Sequence, residues 1–208
     1  MPDTLSPVRL SPDLVVEAAG VLSRAAVDDP MFVHALPDAT ERAAGVPQLM
    51  QMFVRLALAY GEVWATPSPM TGVACWMAPS HPEITPEARE AAGEREVAAG
   101  LGAEAYGRFQ AFRADMGETF ESHLPEPHWH LMWLGVEPGH HGQGIGSTLV
   151  RQLTARADTD DVACDLFTFV PRTVSLYEHL GFGVVLDTTL PRTGLHVWGM
   201  VRPSISQR

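Results

Sequence analysis

The first stretch with chemical potential is a turn rich in glycine. Gly142, Gly144 and Gly146 alternate between an apolar segment that ends at Val136 and a segment with helical periodicity. Glycines allow a bound group to approach the backbone closely, because no Cβ stands in the way. Consecutive amide N–H groups that lead into a helix bind anions, and the Ser147 hydroxyl would add a donor. The spacing therefore predicts a turn that binds a pyrophosphate.

A dinucleotide site is one alternative for this turn. Asp165 follows Gly146 by 19 residues, which is close to the spacing of an acidic ribose ligand. However, the glycines are spaced G-x-G-x-G rather than G-x-G-x-x-G, and five residues separate Val136 from Gly142. In the dinucleotide fold the first glycine directly follows the strand, so this alternative fits less well.

A metal site is another alternative, because four histidines lie in or near the turn: His128, His130, His140 and His141. Positions 128 and 130 would share one face of a strand. No nearby carboxylate or thiolate completes a ligand shell, so we expect no metal. A tight turn with a purely structural role is a third alternative.

The residues from Leu134 to Gly146 resemble the acyl-CoA motif of the GNAT acetyltransferase superfamily, V-x-P-x-x-[QR]-x-x-G-x-[GA]. Val136, Pro138, Gly144 and Gly146 match it. At the position where the superfamily usually has Gln or Arg, this chain has a histidine, number 141. That departure removes one polar side chain but no backbone donor.

A second segment, "PRTVSLYEHLGF" at 171–182, resembles the superfamily's N-x-x-x-Y-x-x-x-G-F segment. Tyr177, Gly181 and Phe182 match, while Thr173 occupies the usual Asn position. The two motifs follow one another in the order that the superfamily has. Weaker similarity in "HALPD", "VWA" and "GVACWMAP" extends to the puromycin N-acetyltransferase branch. It covers the architecture better than the substrate.

The resemblance implies a binding mode for acetyl-CoA. The strands at 129–136 and 163–169 would splay, and the pantetheine arm would pair with the main chain of Leu134 and Val136. The pyrophosphate would lie on the amides of the turn, and Thr173 would add a contact. The turn residues in this prediction are His141, Gly142, Gln143, Gly144, Ile145, Gly146 and Ser147.

The resemblance also implies a direct transfer of the acetyl group to an amine, with two proton transfers. Tyr177 is the candidate acid for the leaving thiolate, and its alternative is a tyrosine packed between helix and sheet. His130, six residues before Val136, is the candidate base for the amine, and its alternative is a structural strand residue. His128 or a water chain would replace it. Asp165, on the facing strand, would orient a base or bind the substrate cation.

Periodicity and turn residues predict the elements that hold these residues. The predicted order is β-α-α-β-β-helices-β-α-β-α-β-β, a mixed α/β fold with about seven strands, flanking helices and splayed central strands. We expect one domain over residues 1–208, with an Ala/Glu-rich helical insertion at about 80–127. The segment "DDPMFVHALPD" is predicted to be a loop, and Pro47 to kink or break the second helix.

Composition limits the classes of partner. A net charge of -11 argues against nucleic acid and mildly favours a cationic small molecule. No apolar run approaches the roughly 20 residues of a membrane span, and the N-terminus lacks a signal-peptide pattern. We therefore expect a cytoplasmic monomer or homodimer whose two cysteines are free buried thiols.

The sequence leaves three functions open. The first is an acetyl-CoA-dependent N-acetyltransferase for a primary amine of a small molecule. The second is a CoA-binding sensor that has lost turnover. The third is an acyltransferase that uses a longer acyl chain or a protein N-terminus.

Overall fold

The computed structural model describes residues 6–80, 84–120 and 127–208, and these form one seven-stranded sheet flanked by helices. The strands are β1 (Val8–Arg9), β2 (Gly61–Ala65), β3 (Gly72–Met77), β4 (His128–Val136), β5 (Ala163–Thr168), β6 (Gly183–Thr189) and β7 (His196–Arg202). The helices are α1 (Val15–Ala26), α2 (Pro30–Ala35), α3 (Ala39–Tyr60), α4 (Pro86–Ala91), α5 (Glu94–Phe120), α6 (Ile145–Thr159) and α7 (Pro171–Glu178). The predicted mixed α/β fold is confirmed.

The strands are arranged in the order β1-β2-β3-β4-β5-β7-β6. Every neighbouring pair is antiparallel except β4 and β5, which are parallel. A parallel pair needs a crossover between its strands, and α6 supplies it. The glycine turn begins this crossover.

The parallel pair β4–β5 opens toward its carboxyl ends. Pairing stops at Leu131 and Leu166, although β4 continues to Val136 and β5 to Thr168. On its other side β4 stays paired with β3 as far as Val136, through one β-bulge. The second half of β4 therefore has one paired edge and one open edge, as the predicted splay requires.

The sheet separates two apolar cores. The first lies against α1, α2, α3 and α5, and it includes Phe32, Leu49 and Phe109. The second lies against α6 and α7, and it includes Trp76 and Leu149. Because α5 contributes to the first core, the predicted helical insertion is a structural wall of the domain.

The structure corrects two predictions about local structure. The segment predicted as a loop contains α2, because the Asp29 carboxylate accepts a hydrogen bond from the Met31 amide at 3.0 Å and Pro30 fits the first helical turn. The predicted break at Pro47 is also wrong, since α3 continues through it. Burial of the neighbouring Leu49 and Met50 offsets the lost backbone hydrogen bond.

A buried carboxylate on α5 holds the turn between β6 and β7. Asp115 is fully buried and accepts hydrogen bonds from the amides of Arg192 and Thr193, at 3.1 and 2.8 Å. The Arg192 guanidinium adds a contact at 3.2 Å. Burial alone would raise the pKa of Asp115, but the hydrogen bonds from Thr193 and Arg192 outweigh it and lower the pKa.

We predict that Asp115→Asn lowers the free energy of unfolding by about 2 kcal/mol at pH 7, because buried donors lose a charged acceptor. A group with a lowered folded pKa stabilises fully above its unfolded value of about 4, and this is lost as pH falls through the folded value. Urea unfolding should therefore show the difference shrinking below about pH 4. The control Glu118→Gln removes the exposed partner of Arg192 and should cost less than about 1 kcal/mol. Equal losses in the two variants would contradict this role of Asp115.

Candidate active site

A cavity of about 550 Å³ lies where β4 and β5 diverge. Its walls come from the α1–α2 loop, β4, the glycine turn, β5 and the start of α7, with α3 and α5 behind. Two candidate catalytic residues, His130 and Tyr177, line this one cavity. The cavity therefore brings together residues that are far apart in the sequence.

The main chain of β4 presents hydrogen-bonding groups to the cavity. The Glu137 amide donates to the Thr71 carbonyl on the β3 side at 2.9 Å. Successive peptide groups along a strand point to opposite edges, so the main-chain groups of Val136 and Leu134 point away from β3. They lie beyond the last pair with β5. These are the two residues to which the sequence assigned the pantetheine arm.

His141 contacts the same strand edge in an unexpected way. Its Nε2 donates a hydrogen bond to the Val136 carbonyl at 3.0 Å. The imidazole is therefore bonded to a group that the predicted pantetheine pairing would use. The side chain of His141 must rotate before a ligand can pair with that carbonyl.

The glycine turn places its residues in three environments. Gly142 and Gly144 adopt positive φ values of 75° and 78°, and a Cβ at either position would meet open space. At Gly146 a Cβ would contact the side chains of Leu134 and Val136 at 3.6 Å, so this residue faces β4. Positions 142 and 144 therefore have the open backbone that an anion needs.

The remaining turn residues contribute differently. Gln143 is exposed and Ser147 is partly exposed, whereas the Ile145 side chain is buried in the second core. Ile145 begins α6, so only its amide is available to a ligand. Gly144 is the N-cap residue, and no side chain caps this helix. The amides of the first turn are thus available to an anion.

Asp165 lies between the two histidines of β4. His130 is directly opposite Asp165 in the parallel register, and its Nδ1 is 2.9 Å from Oδ2 of the carboxylate. The Nε2 of His128 is 3.3 Å from Oδ1. Asp165 is fully buried, and Oδ1 has no partner with good hydrogen-bond geometry. Since Asp165 engages Nδ1, Nε2 is the nitrogen of His130 that is left for proton exchange.

Tyr177 lies on α7 at the cavity, buried against Phe182 of the second core. Burial raises the pKa of its phenol above the ordinary value, and the charge of Asp29 raises it further. The phenol therefore keeps its proton at neutral pH. Its packing and its access to the cavity coexist, so both interpretations of this residue describe real contacts.

Thr173 also lines the cavity, but its hydroxyl is used inside the protein. It donates to the Val170 carbonyl at 2.8 Å and lies 2.7 Å from the Thr168 hydroxyl. These bonds close the turn between β5 and α7. The cofactor contact assigned to Thr173 stays a prediction.

Sequence reasoning missed Asp29, which lines the cavity from the α1–α2 loop. Burial raises the pKa of its carboxyl to about 6, although the hydrogen bond from Met31 opposes this. The Asp-Pro pair that begins α2 was the available signal, since aspartate followed by proline is typical of a helix start.

Two structural searches bear on the alternatives. In the part of the chain that the structure describes, no three His, Cys, Asp or Glu side chains are grouped so that they could hold a metal ion. Within the same ranges, no helix has the length and apolar character needed to cross a membrane.

Comparison with known proteins gives the same architecture. The acetyltransferase (GNAT) family profile matches residues 71–182. A histone acetyltransferase HPA2 and related acetyltransferase from Corynebacterium glutamicum is 22% identical, with 96% of each chain covered and a TM-score of 0.70. Arylalkylamine N-acetyltransferase 2 from Aedes aegypti is 12% identical, covers 97% of this chain and 99% of its own, and has a TM-score of 0.61.

A third similar structure is Naa20 from Chaetomium thermophilum in complex with a bisubstrate analogue. It is 16% identical, covers 96% of this chain and 86% of its own, and has a TM-score of 0.50. At these identities the three structures show the fold alone. The similarity to the puromycin N-acetyltransferase branch stays a prediction.

The family profile covers more than half of the chain, and the matched range includes both the glycine turn and Tyr177. The splayed parallel strands and the cavity between them agree with it. The chain belongs to the acetyltransferase (GNAT) family.

Proposed function

We propose that this protein is an acetyl-CoA-dependent N-acetyltransferase that transfers the acetyl group directly to a primary amine of a small molecule. The observation that carries the proposal is the open edge of β4, which lies between the glycine turn and the cavity that His130 and Tyr177 line. One extended ligand can therefore reach the turn, the strand edge and the two candidate catalytic side chains.

The residues present fit acetyl-CoA. The open backbone at Gly142 and Gly144 and the amides at the start of α6 suit the pyrophosphate. The main-chain groups of Leu134 and Val136 suit the amides of the pantetheine arm, as in the addition of a strand to a sheet edge. Acetyl-CoA, when bound, supplies the acetyl group as an activated thioester.

His130 is the proposed base. An acceptor amine arrives largely as an ammonium ion and must lose a proton before its lone pair can form the new C–N bond. Asp165 engages Nδ1 of His130, which fixes the tautomer and presents Nε2 as the proton acceptor. The burial of Asp165 keeps this orientation fixed.

Tyr177 is the proposed acid. As the C–S bond breaks, the electron pair stays on sulfur, and the Tyr177 hydroxyl donates a proton to it. The raised pKa of this phenol keeps the donor protonated at working pH. No covalent bond between acetyl group and protein is needed, so the amine and the thioester react in one complex.

The choice of a small-molecule acceptor has limited but specific support. One protein of this fold is named an arylalkylamine N-acetyltransferase, and the rear of the cavity is formed by apolar side chains of α3 and α5. Measuring CoA release with panels of amines, peptides and acyl-CoA donors tests the proposal. Transfer only to peptides, or only from longer acyl donors, would contradict it, and binding of acetyl-CoA without any transfer would indicate a sensor.

The glycine turn gives a binding prediction. Gly144→Ala should weaken acetyl-CoA binding at least about tenfold in isothermal titration, because a Cβ enters the open space that the anion needs. The matched control is Gly194→Ala, in a turn outside the site. Its φ of 69° is similar and its Cβ also meets open space. If both variants bind equally well, the anion does not lie on this turn.

The acid gives a kinetic prediction. Tyr177→Phe removes one hydroxyl and keeps the packing against Phe182, so turnover should fall by about 100-fold while the Kd of acetyl-CoA holds. Tyr106→Phe, on α5 outside the cavity lining, is the control. Unchanged turnover in Tyr177→Phe would return Tyr177 to a packing role.

The base gives a prediction for the pH profile. In the wild-type protein kcat/KM should rise between about pH 6 and 7, where an ordinary imidazole loses its proton, and rise again as the free amine deprotonates. In His130→Gln the lower inflection should vanish and the plateau rate should fall. His128→Gln, on the same strand face, should keep the lower inflection. A wild-type profile and rate in His130→Gln would show that another group takes the proton.

A further inference from the structure

The cavity differs in character between its two ends. The carboxyl ends of the parallel strands β4 and β5 lie together, and the basic residues Arg24 and Arg172 line this end beside the glycine turn. Arg24 is paired with Glu137, the residue that follows β4. Toward the sheet interior the lining is apolar and mostly aromatic. These residues, which we name the aromatic chamber, are Phe53, Phe112, Met116, Trp133, Phe167 and Phe169.

The aromatic chamber is part of a network of ring contacts. Trp133 packs against Phe53, with ring centroids 5.5 Å apart, and Phe112 packs edge-on against Phe169 at 5.5 Å. Phe167 lies against the His130 ring at 4.9 Å. The chamber therefore reaches the candidate base. A ligand body in this space meets ring faces and thioethers, which favour apolar groups and attract cations.

Asp29 is a charged group at this cavity without a counter-charge. Its Oδ1 accepts the amide hydrogen bond of Met31, and no described residue forms an ion pair with it. The neighbouring Asp28 differs, because it is exposed and paired with Arg42. A largely buried carboxylate normally needs a cationic partner, and a ligand can supply one where the protein does not.

Asp29 also lies close to the proposed reaction centre. Its charge is near enough to Tyr177 to raise the pKa of the phenol, and both side chains line the cavity. Tyr177 is the proposed donor to the sulfur of the thioester. A cation bound at Asp29 would consequently lie near the bond that breaks.

We propose that Asp29 binds the ammonium group of the acceptor and that the aromatic chamber holds its apolar body. This inference rests on the proposed function. The substrate class is a primary amine with a single positive charge on a compact apolar body. Polyamines and amino sugars do not fit, because the chamber would leave their further polar groups without partners.

The division of labour follows from the positions of the two groups. Asp29 holds the ammonium by a charge-assisted hydrogen bond, and His130 then takes the proton that frees the lone pair. With a pKa of about 6, the Asp29 carboxyl is ionised at pH 7.5. Asp29 is thus a specificity-determining residue that acts mainly on substrate binding.

Asp29→Asn is a clean test, because asparagine is an equally good N-cap and keeps an oxygen for the Met31 amide while it removes the charge. Asp28→Asn is the matched control, with the same change of charge one residue away. The probe is 2-phenylethylamine, titrated at pH 7.5 into protein saturated with CoA. Spermidine and glucosamine are the polar comparison amines.

We expect 2-phenylethylamine to bind and to be acetylated in preference to both polar amines. Asp29→Asn should raise its Kd and its KM at least about tenfold, with a smaller change in kcat and an unchanged Kd for acetyl-CoA. Asp28→Asn should match the wild-type protein. An equal effect of the two substitutions, or a fall in kcat at constant KM, would overturn the role of Asp29.

The substrate class and the proposed function fail in different ways. If acetyl-CoA binds and an amino sugar or a polyamine is acetylated while 2-phenylethylamine is not bound, the substrate class is wrong and the acetyltransferase function stands. If acetyl-CoA itself does not bind, the proposed function is wrong, and this inference falls with it.

Discussion

The early end of the β4–β5 pairing is the constraint on which the site depends. A strand needs partners for its amide and carbonyl groups on both edges, and the second half of β4 has them on one edge only. Water or a ligand must satisfy the open edge. In this chain an internal group partly does so, since His141 bonds the Val136 carbonyl. The fold thus maintains an unsatisfied strand edge beside an apolar cavity, and that is the physical basis of the proposed ligand site.

The other parts of the site take their places from this divergence. Because β4 and β5 are parallel, the turn after β4 and the start of α7 after β5 lie at the same end of the pair. The glycine turn and Tyr177 are therefore brought to one cavity. Further back, where the strands still pair, the direct register of His130 with Asp165 orients a base. Pairing in one half of the strands and divergence in the other serve different steps of the same reaction.

The sequence predicted the parts of the site that depend on local backbone or on strong periodicity. The glycine turn, the flanking strand and helix, and Tyr177 belong to short motifs whose spacing is itself the signal. His130 was found because an imidazole on a strand has an evident chemistry. The contact between His141 and Val136 was not predictable, because it depends on a side-chain rotamer in a turn with little packing.

Asp29 and the aromatic chamber were missed for a different reason. Asp29 lies in a segment that looked like a loop, and its importance comes from burial beside Tyr177, which is 148 positions away in the sequence. The chamber gathers side chains from α3, α5, β4 and β5, and each of them has the composition of an ordinary core residue. Only the tertiary arrangement distinguishes a cavity wall from a core.

Amide hydrogen exchange, resolved by residue with NMR, tests the central claim about the open strand edge most directly. Exchange of the Leu134 and Val136 amides should be compared in the free protein and in the protein saturated with acetyl-CoA, with Gly135, which faces β3, as the internal reference. The account predicts that the Leu134 and Val136 amides gain protection while Gly135 changes little. Binding of acetyl-CoA that leaves the exchange of Leu134 and Val136 unchanged would contradict it.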